Sequence, residues 1–232
     1  MNVDELNLRT LPQLIEIATM QLSGGQYNID GTVDPQYIET MLILLRSTAI
    51  RNNYTGSRYV AANKTIPSIC IQDYHVIYDD DLQDDPCWNK FYCPEVISLD
   101  DKFDGLRYVG TEDDTNAFYR VKNASQYASM LNDPILKRLM EQNIVYMYTA
   151  TDNILKVNDK DLRSFKVRGI FTDPTVIPTY NKNIDPFPCD INTITTILNE
   201  LYAMFTKNES ATPSDAIADG KDESGIINAN RK

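Results

Sequence analysis

The segment from Asp190 to Phe205, DINTITTILNELYAMF, decides the architecture, because it reads as one uninterrupted amphipathic helix near the far end of the chain. Ile191, Ile194, Leu198, Leu201 and Phe205 recur at three- and four-residue steps, which places them on one face. A helix with a single apolar stripe has to bury it against another element. Beyond Phe205 the pattern dissolves. Thr206 to Lys232 is dominated by Ser, Asp, Gly, Lys, Asn and Ala, with too few large apolar groups to make a core of its own. An extended tail over 208–232 that docks on partners is therefore expected, with Ile217, Ile226 and Ile227 as its apolar contacts. Burying Ile226 and Ile227 would supply roughly 3–6 kcal/mol before the entropy of ordering the tail is subtracted.

Two helices of the same character stand at the other end of the chain. Thr10 followed by Pro12 is a good start: a hydroxyl for an orphan amide, and a proline whose missing N–H costs nothing there. Leu11, Leu14, Ile15, Ala18 and Leu22 form its apolar face, and Ser23-Gly24-Gly25 ends it. Asp34-Pro35 opens the next helix, with Ile38, Met41, Leu42, Leu45 and Ala49 as its buried stripe. Arg46 and Arg51 are expected on its opposite side, and Asn53-Tyr54-Thr55-Gly56 breaks it.

Between these ends the texture becomes that of a sheet. Pro67 opens a short helix through Ile69, Cys70 and Asp73. Val76-Ile77-Tyr78, the acidic turn Asp79-Asp80-Asp81, Cys93-Pro94 and Val96-Ile97 follow. Leu106–Gly110 and Ala117–Val121 are β-branched and aromatic runs joined through Thr111–Asn116, which predicts a hairpin. Ser125 to Met140 is helical or irregular. Asn143–Thr149 and Ile154–Val157 read as strands about the turn Thr151-Asp152-Asn153, and Phe165–Phe171 as a further strand stopped by Asp173-Pro174. The expected fold class is α+β. A helical bundle from both chain ends (1–73 and 188–207) carries an inserted, mixed β domain (74–187), and the extended polar tail follows.

At 232 residues the chain can bury a full core, and 42% hydrophobic with 24% charged residues is ordinary for a globular protein. Its 14 tyrosines against 7 phenylalanines suit surfaces that end half-buried against partners, since tyrosine offers stiff contact area with a polar tip. A net charge of −11 makes it a poor grip for phosphate backbones, yet a negative wall lets a polyanion pass without sticking. The acidic start MNVDELNLRT does not read as a secretory leader, and no apolar run approaches the ~20 residues that span a bilayer. The expectation is cytoplasmic synthesis and no membrane. Cys70, Cys87, Cys93 and Cys189 lack zinc spacing; a Cys87–Cys93 disulfide is conceivable, but nothing implies an oxidising compartment.

Chemistry is thinly represented. Asp79, Asp80, Asp81, Asp84 and Asp85 could form a calcium loop or a carboxylate pair for a metal-dependent hydrolase or nuclease, but the glycine and distal glutamate of an EF-hand are absent. A solvated acidic loop is the better reading, and Asp100, Asp101 and Asp104 repeat the pattern with the same defect. His75 is the lone histidine, five positions after Cys70 with no orienting signature, and reads as structural or surface. Phosphate loops, dinucleotide fingerprints, HExxH and GxSxG are missing. No catalytic, cofactor or metal residue is assigned. Arg46, Arg51, Arg58 and Lys64, interleaved with Tyr54 and Tyr59, and the pair Lys137/Arg138 are basic spots. They could touch nucleic acid. In so acidic a chain, pairing with an acidic neighbouring subunit is preferred, which makes Arg46, Arg51, Tyr54, Arg58 and Tyr59 the inter-subunit candidates.

Several phrases carry a resemblance. The paired N-terminal helices, the block Leu106-Arg107-Tyr108-Val109-Gly110-Thr111-Glu112-Asp113 and the strand Val167-Arg168-Gly169-Ile170-Phe171-Thr172-Asp173-Pro174 resemble virion structural proteins of podovirus-type tailed phages, especially the crAss-like group. Phe187-Pro188-Cys189-Asp190, entering the last helix, fits the same pattern, and the likeness runs over most of residues 9–207. It implies a head-to-tail adaptor, a ring protein that docks below the portal protein and continues the DNA channel. The implied partners are copies of itself in a dodecamer matched to the portal, and adjacent neck or tail rings reached by C-terminal extensions. Genomic DNA passes through the lumen without sequence-specific binding. The implied location is the virion, assembled in the host bacterial cytoplasm. The family has no catalytic motif to carry over. The alternatives are the metal-dependent hydrolase or nuclease built on Asp79–Asp85, and an accessory binding domain that forms no ring.

Overall fold

The computed structural model describes residues 9–22, 33–54, 66–83, 85–99 and 105–210, with side chains as far as Phe205. They form a mixed α+β structure of five helices and two sheets, of three and four strands. Helices α1 (Leu11–Leu22), α2 (Pro35–Tyr54) and α5 (Ile191–Ser210) pack pairwise on one another, so the two ends of the described chain share a core. Leu11, Leu14 and Ala18 meet Ile38, Leu42, Leu45 and Ile50, and both groups meet Ile194, Ile197, Leu198 and Leu201. Each fully buried aliphatic side chain here contributes about 1.5–3 kcal/mol, which is what holds three helices that start far apart in sequence.

Local chemistry starts these helices where the sequence indicates. Gln36 N–H donates to Asp34 Oδ1 at 2.9 Å, an N-cap directly before Pro35. Thr10 N–H donates to Gln13 Oε1 at 3.1 Å, the return arm of a capping box. The Pro67 region forms only a single 3-10 turn, Ser68–Cys70, and Asp73 lies in the strand that follows. The short helix expected there is cut off because the chain becomes extended at Ile71 and enters the sheet.

The first sheet has the order β1–β7–β3, from Gln72–Ile77, Ser164–Gly169 and Leu106–Gly110, antiparallel throughout. The second has the order β2–β6–β5–β4, from Asn89–Tyr92, Ile154–Val157, Val145–Thr149 and Tyr119–Arg120. Most of their buried residues form one cluster around Phe91, Phe118, Leu155, Phe165 and Val167, with Phe91 and Phe165 edge to face at 4.9 Å. Val96 meets Phe171 in an isolated antiparallel bridge outside the named strands.

The expected hairpin is half right. Thr111 N–H donates to Asn116 O at 3.0 Å and Phe118 N–H to Val109 O at 2.8 Å, closing the turn. Asp114 takes the left-handed conformation there, at φ 59°. The second arm then leaves: β4 pairs in parallel with β5 in the other sheet. Phe118 drives the departure, since its ring is buried 5.5 Å from that of Phe165 between the sheets.

Ser125 to Met140 resolves into α3 (Ala124–Asn132) and α4 (Pro134–Gln142). Asp133 separates them: its carboxylate accepts from Ile135 N–H and Leu136 N–H, and Pro134 takes the first helical position. Met130 and Met140 anchor this helical hairpin in a third cluster with Trp88, Val121, Val145 and Met147. The helical and β regions are joined by Ile97, Leu99 and Ile170, which belong to the helical cluster. Gly105 sits at that joint. A Cβ on it would lie 2.7 Å from Val96 Cγ1 and 2.8 Å from Ile170 O, so no larger residue fits without displacing backbone.

Candidate functional site

Arg46 is not on the outside of α2. It is 0% exposed, on the same face as Leu42, Leu45 and Ala49. Its Nε–H donates to Pro188 O at 2.9 Å and its Nη1–H to Phe171 O at 2.8 Å, and its guanidinium carbon lies 5.9 Å from the centre of the Phe187 ring. It therefore ties α2 to the end of the β region and to the entry of α5. Its Nη2 and the nearby Tyr180 hydroxyl are buried without a hydrogen-bond partner among the described residues. Burial lowers the Arg46 pKa, and burial pushes that of Tyr180 up to about 12. Cys70 and Cys189, both fully buried, complete the cluster. Hydrogen bonding to Cys189 holds the Cys70 thiol below its ordinary value, while burial pushes Cys189 up.

The other inter-subunit candidates are placed unevenly. Arg51 is exposed and donates through Nε–H to Ser98 O at 3.2 Å. Tyr54 is buried with its hydroxyl 3.4 Å from Asp190 Oδ2, and burial raises its pKa. The structure thus brings Arg46 and Tyr54 near the entry of α5, inside the chain. Arg58, Tyr59, Lys64 and the tail residues Ile217, Ile226 and Ile227 lie outside the described residues, as do Ser23-Gly24-Gly25, Asp84, Asp100, Asp101 and Asp104.

Two carboxylates of the acidic loop, Asp79 and Asp85, hold its own backbone. Asp79 Oδ1 accepts from Asp81 N–H at 3.0 Å, and Asp85 Oδ1 from Cys87 N–H at 2.9 Å. Among the described residues no group of three or more His, Cys, Asp or Glu side chains could hold a metal ion. His75 is exposed, with Nδ1 2.8 Å from Glu112 Oε2, whereas Cys70 faces the helical core. Cys87 is exposed and Cys93 buried, and no disulfide joins them. No helix among the described residues is long and apolar enough to cross a membrane.

The surface feature that sequence reading passed over is the α3–α4 hairpin. Every residue from Leu131 to Leu139 is exposed. Ile135 is 80% exposed, with Leu131, Leu136 and Leu139 beside it in the same stretch and Lys137 and Arg138 between them. A groove of about 370 Å3 runs alongside, lined by Tyr127, Leu131, Met140 and Ile144 among others. Large aliphatic groups gathered on one exposed element form the kind of apolar patch found at interaction sites. The sequence gives α4 one apolar stripe, Ile135, Leu136, Leu139 and Met140, of which only Met140 is buried. A second exposed apolar face runs along α2 and α5 through Tyr37, Leu44, Tyr202 and Met204, where the Tyr37 and Phe205 rings meet at 6.0 Å.

No protein-family model and no curated protein matches this chain.

Proposed function

We propose that this protein is a virion structural protein, one subunit of a ring in the portal–tail neck of a podovirus-type phage. The observation that carries the reading is the α3–α4 hairpin, where aliphatic side chains and cations stand exposed on a chain of net charge −11. Such a surface is suited to covering by protein, and the resemblance over most of residues 9–207 supplies the setting. Copies related by rotation present one surface to a different surface of the next, closing a ring. A standard specific interface buries ~1,600 Å² in total, so a subunit flanked on two sides commits much of its exterior.

On this reading the partners are other copies in a dodecamer, the portal protein and neighbouring neck rings, and the acidic lumen lets packaged DNA slide past. The chain works without catalysis, cofactor or membrane, in a particle assembled in the bacterial cytoplasm. The helical bundle (1–73 and 188–207), the inserted β domain (74–187) and the docking tail (208–232) belong to the same proposal. Two large hydrophobic clusters support the division, and Ile97, Leu99 and Ile170 couple its halves. Size-exclusion chromatography with light scattering, with and without the portal protein, tests the reading. A ring-sized mass in either condition is expected; a monomer that ignores the portal overturns it.

A further inference from the structure

We propose that the α3–α4 hairpin of one copy docks onto the corner Ile77–Asp81 of the next, a contact between two different surfaces of the same chain. The inference rests on the self-assembly reading and adds to it which surfaces meet. The hairpin side combines Leu131, Ile135 and Leu139 with Lys137 and Arg138, all exposed. Two acids lie in its helices and their link. Asp133 is engaged in capping α4, and Glu141 stands 4.0 Å from Lys137 along the helix. Arg138 joins no ion pair among the described residues. The exposed run Ile135–Leu139 therefore carries two cations and no acid, a cationic, apolar stretch on a hairpin of zero net charge and on an anionic molecule.

The corner is its complement. Ile77, at the end of β1, is 73% exposed, and Asp79, Asp80 and Asp81 follow it, all exposed and none in an ion pair among the described residues. The Asp79 carboxylate braces the turn through Asp81 N–H, so the backbone that carries Asp80 and Asp81 is fixed before any partner arrives. Opposite charges steer two such surfaces together and set their register, and burial of Ile77 against Ile135 and Leu139 holds them. Because the two surfaces differ, the contact repeats from copy to copy.

Charge reversal in full-length protein tests this. Lys137→Glu with Arg138→Glu makes the hairpin anionic, and Asp80→Lys with Asp81→Lys makes the corner cationic; Asp79 is left alone because it caps the turn. All four side chains are exposed, so circular dichroism should show the fold kept. Each reversal alone should raise the concentration for half-assembly roughly tenfold or more. One chain carrying all four substitutions, or an equimolar mixture of the two variants, should assemble again. Ile135→Asp should weaken assembly without rescue by the charge changes. Single reversals that assemble like the parent overturn the docking while leaving the ring reading standing. So does a fourfold variant no better than either parent pair, or a reversal that removes only portal binding. A parent chain that stays monomeric with the portal present overturns both.

Discussion

A guanidinium enclosed by protein has to find acceptors, and Arg46 finds two backbone carbonyls, Pro188 O and Phe171 O. Arg46→Ala strands both, at roughly 1–3 kcal/mol for each buried acceptor. Urea denaturation should show that loss, and Arg46→Lys should recover little of it, because an ammonium cannot reproduce the fork. An unchanged midpoint for Arg46→Ala would contradict the staple. At the opposite extreme of exposure, the Thr111 and Thr115 hydroxyls and the Thr115 amide hold the Asp113 carboxyl down to about 2. A depressed folded value means its contribution is present above the ordinary 3.8 and fades as pH falls towards 2. Carboxyl carbon shifts followed by NMR should give that low titration; a value near 3.8 would remove the hydroxyl contribution. The burial of Arg46 was not legible in the sequence, because a charged residue is assigned to water by default. Its position between Leu42, Leu45 and Ala49 was the available hint.

Helix α5 shows how much an element owes to the residue that caps it. Asp190 Oδ1 accepts from Asn192 N–H at 3.1 Å and Thr193 N–H at 3.2 Å, and Oδ2 accepts from the Thr193 hydroxyl at 2.6 Å. Asp190→Ala should cost about 1–2 kcal/mol, read as a lower thermal midpoint, whereas Asp190→Asn should keep most of the cap. Equal midpoints for Ala and Asn would sink that account. The helices α1, α2 and α5 were legible because an apolar period followed a start signal in each, although α5 runs on to Ser210, past the Phe205 at which its apolar pattern ends. The strands were legible only as apolar runs. Nothing in Ala117–Val121 says that its strand will leave its neighbour, since pairing is chosen by which rings fill the space between two sheets. The α3–α4 hairpin was legible only as a helical or irregular stretch, and how much of it stands exposed depends on how little of it the sheet covers.

For the molecule as a whole, assembly and folding should separate. Residues 211–232 hold Ile217, Ile226 and Ile227 and no other large aliphatic or aromatic side chain, too little for a core. Deleting them should leave the thermal midpoint nearly unchanged and impair assembly with the portal. A truncated chain that assembles normally would remove the docking tail. Self-association at the α3–α4 surface should also weaken with salt, as charge attraction across an exposed contact does.

Class and layout were written in the order of residues: α+β texture, apolar helices near both ends, and a tail without a core follow from periodicity and composition, which are local. Sheet partners, the inward turn of Arg46 and the outward stance of Ile135 came from packing. Each depends on residues far apart in the chain competing for the same volume, and that competition exists only once the chain is folded.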